Sequence, residues 1–110
     1  MKQYVIDALR YPDYEKIKAH LGDTLGAPKL DGLYWLPLDP SLYSDVQMAH
    51  GDCAPFLMAL ELSETRLSGE LLVRTHHRVR CDCIQYADER QRNWLIQWME
   101  NLFNQLDIII

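Results

Sequence analysis

Three cysteines and a histidine carry the sharpest chemical pattern in the sequence, as His50-Gly51-Asp52-Cys53 and Cys81-Asp82-Cys83. Residues i and i+2 of a strand point the same way, so Cys81 and Cys83 could face one ion. His50 and Cys53 would reach it from a loop near the start of an adjacent strand. Three thiolates and one imidazole make a tetrahedral zinc set, and such soft ligands favour zinc or iron–sulfur over magnesium or calcium. Two other readings stand beside this one. On a strand, Cys81 and Cys83 share a face with Val79 while Arg78, Arg80 and Asp82 lie opposite, which is how small buried thiols look in a half-covered strand. The spacing also lacks paired Cys-x₂₋₄-Cys knuckles. A redox pair is the third reading. A direct disulfide across Cys-x-Cys on an extended strand would be strained, and no helix N-terminus is in place to depress either thiol's pKa.

The second constellation is Arg74, His76, His77, Arg78 and Arg80. With a turn near His76-His77, Arg74 and either Arg78 or Arg80 would line up on neighbouring strands, where like charges repel unless something answers them. A phosphate or carboxylate ligand, or an acidic partner surface, would do so, since Arg forks suit both. Glu61, Glu70 and Asp82 on the same polar sheet face are the plainer answer, as an ordinary solvated surface.

Catalysis finds little footing. There is no Gly-rich phosphate loop, no nucleophile elbow and no His-Glu-x-x-His helix. His20 flanks an apolar helical stripe, and no two carboxylates are marked out as acid and base. A Cys53 or Cys81 nucleophile with His50 as base is the one arrangement the residue types allow. The expectation is a protein that binds rather than catalyses.

The elements that must position these groups follow from periodicity. Gln3–Leu9 reads as a strand, and Pro12 with Asp13 as the start of a helix carrying Tyr14, Ile17, Leu21 and Leu25 at helical spacing. Leu33–Leu36 reads as a strand stopped by Pro37. Residues 39–50 read as a short helix opened by Asp39-Pro40, or as an ordered loop. Phe56–Leu62, Leu67–Thr75 and Arg78–Tyr86 each alternate and read as an antiparallel meander. Asp88 caps a last helix whose Trp94, Leu95, Trp98, Met99, Leu102, Phe103 and Leu106 form one wide apolar stripe. The Ile108–Ile110 tail is β-prone and could add an edge strand or meet another subunit. The fold expected is a two-layer α+β domain over residues 1–110. It has a mostly antiparallel sheet of about five strands with two main helices on one face.

Composition bounds the rest. With 48% apolar and 25% charged residues, the chain can form a core without staples. A net charge of −5 argues against general attraction to nucleic acid or anionic membrane, and the longest apolar run, Phe56–Leu60, is far short of a membrane span. The charge is uneven: residues 66–92 hold six Lys/Arg against four Asp/Glu, or +2, inside an acidic protein. The first residues reach Asp7 before building an apolar run of signal-peptide length, and three cysteines are an odd number. Both point to a cytoplasmic protein. The leading expectation is therefore a small binding or interaction protein, homodimeric, whose basic sheet face meets an anionic ligand or acidic partner. The alternatives are a metalloprotein with zinc or iron on His50, Cys53, Cys81 and Cys83, and an acidic chaperone-like adaptor.

Overall fold

The seven residues Phe56–Leu62 form the strand about which the sheet is built. The computed structural model describes residues 1–28 and 30–109. The chain runs through β1 (Gln3–Ile6), α1 (Tyr11–Leu25), β2 (Leu33–Pro37), a 3₁₀ turn at Pro40–Leu42, and α2 (Asp45–Ala49). A second 3₁₀ turn at Gly51–Cys53 leads into β3 (Phe56–Leu62), β4 (Leu67–Glu70), β5 (Leu72–Thr75), β6 (Gln85–Tyr86) and α3 (Glu89–Gln105). Every pairing is antiparallel: β2 flanks β3 on one side, and β4 with β5 flank it on the other. On that second side the sheet continues with β1 beside β4 and β6 beside β5, and β2 is the edge on the other. The architecture is α+β in two layers, with a six-stranded antiparallel sheet.

Pleat decides which residues meet the helices. Tyr34 stands opposite Leu60, Leu36 opposite Met58, Leu60 opposite Gly69, and Leu62 opposite Leu67, so all share one face and are buried. Onto this face α1 brings Ile17 and Leu21, and α3 brings Leu95, Met99, Leu102 and Phe103. Burying each such side chain stabilises by about 1.5–3 kcal/mol. Trp94 and Trp98 are half-buried against the same core. Asp88 caps α3 as expected, accepting from the Gln91 backbone N–H at 2.9 Å. The close approach of α3 depends on Gly69, because a Cβ there would stand 2.9 Å from Met99 Sδ and 3.0 Å from Leu95 Cδ2. Gly69→Val should therefore lower stability by about 1–3 kcal/mol, seen as a lower urea midpoint at constant slope. An unchanged midpoint would mean that the helix has room to yield.

Four segments differ from the periodicity reading. The strand expected over Leu67–Thr75 is broken at Leu71. Between the pairs Leu60–Gly69 and Leu57–Arg74, three steps along β3 face five along its neighbour, leaving two extra residues in a bulge. Leu71 turns outward there: its N–H donates to the Lys2 carbonyl at 3.0 Å, and its own carbonyl accepts from Ala87 at 2.7 Å. Arg78–Tyr86 is not a strand; only Gln85 and Tyr86 pair, and the residues before them form a loop. Val79 is 94% exposed and Cys83 fully buried, so the alternation that suggested a shared face does not operate. Residues 39–50 are two pieces. Asp39 caps the 3₁₀ turn through the Ser41 N–H at 3.0 Å, and Ser44 caps α2 through the Gln47 N–H at 3.2 Å. At the tail, Ile108 is buried and Ile109 exposed without strand structure, and Ile110 lies outside the described residues. Among the described residues no helix is long and apolar enough to cross a membrane.

Candidate metal centre

Two segments distant in sequence are drawn together at one end of the sheet. After α2 the chain tightens into a 3₁₀ turn in which the Cys53 N–H donates to the His50 carbonyl at 2.9 Å. The Cys53 carbonyl accepts from the Thr75 hydroxyl at the end of β5, and that hydroxyl in turn accepts from the His77 N–H at 3.1 Å. Thr75 thus fixes where the loop leaves the sheet relative to Cys53. The loop returns through a turn closed by the Ile84 N–H on the Cys81 carbonyl at 3.0 Å, which brings Cys81 and Cys83 back beside Cys53.

Beneath the centre lies a buried pair of glutamines. Gln47 and Gln91 are each 1% exposed, and each is the third residue after a helix cap, Ser44 and Asp88. Each amide oxygen accepts from its cap's backbone N–H, at 2.9 Å for Ser44 and 3.1 Å for Asp88. The Gln91 amide also donates to the Gln47 oxygen at 2.9 Å and to the Leu42 carbonyl at 2.8 Å. The Gln47 amide reaches the Cys83 carbonyl at 3.5 Å. A charge-free network therefore joins both helix starts to the backbone of a candidate ligand. Periodicity does not mark Gln47 and puts Gln91 on the polar face of the last helix, yet Gln91 is buried; the Ser-x-x-Gln and Asp-x-x-Gln spacings were the available signal.

The Sγ atoms of Cys53, Cys81 and Cys83 lie within 4.8 Å of one another. Cys53 and Cys83 are buried and Cys81 is half-buried, and all three are free thiols. A zinc–sulfur bond of about 2.3 Å places tetrahedral sulfurs roughly 3.8 Å apart, so the cluster needs to contract by at most about 1 Å. The Cys83 thiol and backbone N–H donate to Cys81, and His50 adds a positive potential. Together they hold the Cys81 thiol below its ordinary pKa. Burial first, then its bonds to Cys81 and Cys53, pushes Cys83 up to about 12. Three thiolates this close repel one another, which limits how far the protein alone can ionise the cluster. A soft cation would remove that limit and deprotonate all three.

His50 is outside the group of atoms that lie within 4.8 Å of one another. Its Nδ1 is 2.7 Å from the Val46 carbonyl. A carbonyl can only accept, so Nδ1 carries a proton; in the neutral ring Nε2 then keeps its lone pair, the tautomer that metal-binding histidines adopt. The same carbonyl raises the His50 pKa, and Cys81, Asp52 and Asp82 raise it further. Of the basic residues, Arg74 lies on the sheet face turned away from the helices and pairs with Glu70 at 3.1 Å. His76 meets the Trp35 ring edge-on, with centroids 4.7 Å apart. Arg78 contacts the exposed Asp52 at 3.4 Å. Arg80 makes no ion pair among the described residues, and His77 is exposed. Because residues 76–80 are loop, these five do not share one sheet face. No protein-family model, no curated protein and no solved structure matches this chain.

Proposed function

We propose that this chain is a small metal-binding protein whose zinc centre is held by Cys53, Cys81 and Cys83, with His50 as the fourth ligand. The observation that carries this is the convergence of the three sulfur atoms, to within 4.8 Å, from two segments that the sheet alone would not join. The His50 tautomer supports the fourth position, and His50 and Cys53 bracket a single 3₁₀ turn. Three cysteines are one short of the four thiolates of common iron–sulfur clusters, which favours zinc over iron. Such a centre ties a loop to the body of a small domain and adds binding free energy to folding.

Elemental analysis of untagged protein, purified without chelator, tests the site. The expected result is one equivalent of zinc, with thiols that react slowly until the metal is stripped. Cys83→Ser should abolish stoichiometric zinc, whereas His50→Ala should weaken it by about 10- to 100-fold. Metal-free protein with all three thiols reactive only after unfolding would make them core residues. Two thiols missing under denaturing conditions would reveal a disulfide in place of the centre.

A further inference from the structure

We propose that residues 76–80 are a recognition loop for an acidic protein segment, held in its binding conformation by the metal centre. The loop itself stands on the surface it presents, and its dependence on metal rests on the zinc reading above. Val79 is an aliphatic side chain 94% exposed at the tip, with Arg78 and Arg80 as its exposed neighbours. The Arg78–Asp52 contact is long at 3.4 Å, and its side chains are 52% and 72% exposed, so water screens it and a stronger carboxylate partner can displace it. Arg80 is unengaged by any carboxylate among the described residues.

A basic pair around an apolar tip fits a segment that alternates carboxylates with apolar side chains. Each guanidinium can take a carboxylate in a forked pair, and Val79 buries against the apolar residue between them. The rest of the molecule selects the partner class. The chain carries −5 overall, so a long polyanion such as nucleic acid would leave this small basic island and run over a repelling surface. A short acidic peptide meets only the island.

The link to metal comes from how the loop is anchored. Among the described residues no backbone–backbone hydrogen bond joins 76–80 to the rest of the protein. Its near end is tied by the His77 N–H to Thr75, and beyond Arg80 the next residue is Cys81. Ordering a free loop on binding costs about 1–2 kcal/mol per residue, a cost that weakens any complex the loop makes. Bonds from one ion to Cys53, Cys81 and Cys83 would meet that cost before the partner arrives.

The test is fluorescence anisotropy with a short fluorescein-labelled peptide alternating glutamate and leucine. It is titrated with zinc-loaded protein, with metal-stripped protein, and with the zinc-loaded Arg78→Ala/Arg80→Ala variant, whose zinc content is measured alongside. The expected result is binding by the loaded protein, weakened roughly tenfold or more in the variant at unchanged zinc stoichiometry. Stripping zinc should weaken it by a similar factor. Equal binding by the variant overturns the loop assignment. Equal binding by stripped protein overturns the coupling to metal. Tighter binding of a single-stranded RNA of similar length overturns the partner class. Stoichiometric zinc with no peptide binding overturns this inference and leaves the metal centre standing. No zinc uptake by the unaltered protein sinks the metal reading, and the coupling with it.

Discussion

Removing zinc from the loaded protein with a chelator should lower its Tm by on the order of 15 °C at moderate free zinc. An ion that binds only the folded chain stabilises it by RT ln(1 + [L]/Kd), or about 4 kcal/mol when free metal stands roughly a thousandfold above Kd. For a domain near this size each kcal/mol moves Tm by about 4 °C. The effect should climb with the logarithm of free zinc in thermal melts and vanish in Cys81→Ser. That variant is the cleaner probe, because Cys81 is half-buried and a hydroxyl there can reach water, whereas Cys83→Ser also buries a new polar group. Melting that ignores both zinc and chelator would exclude a centre formed by folding.

The second large effect belongs to the glutamine pair. Gln91→Leu removes the donor to the Leu42 carbonyl and to the buried Gln47 Oε1, and the acceptor for the Asp88 N–H. Stranding these groups should cost about 2–4 kcal/mol in urea denaturation. The double variant Gln47→Leu/Gln91→Leu should lose clearly less than the sum of the single changes, since each substitution already strands the other's partner. Gln47→Leu alone should also weaken zinc by about tenfold, because it frees the Cys83 backbone that Gln47 steadies. Single variants within about 0.5 kcal/mol of the parent would mean that the pair is incidental, as surface substitutions are.

How much of this the sequence disclosed depended on whether one period ruled each segment. Along α3 the stripe from Trp94 to Leu106 follows a single helical repeat, and Asp88 marks its start, so element, cap and apolar stripe were legible, though not the burial of Gln91. Phe56–Leu62 was equally plain as a strand, being one short apolar run between turns, buried on both faces except at Glu61. The region 78–84 misled because Arg78, Arg80 and Asp82 alternate with Val79, Cys81 and Cys83 for a reason unconnected with a pleat. There the thiols turn inward to each other and to Cys53, while Val79 turns out, and no local pattern encodes a contact with a residue so far back in the chain. The break at Leu71 escaped for a related cause. It is set by the demands of Lys2 and Ala87 on the backbone groups of one residue, not by anything within Leu67–Thr75. Cys53, Cys81 and Cys83 were thus legible as chemistry before they were legible as geometry, while Arg78 and Arg80 were assigned to a strand that does not form.

That bulge has a mechanical side. Because Leu71 turns both backbone groups outward, β1 hangs from β4 alone and β6 from β5 alone. The two outer strands belong to different ladders, and β3 is the spine that both share. Leu71 couples the two ladders: its N–H holds Lys2 at the start of β1 and its carbonyl holds Ala87 at the end of β6.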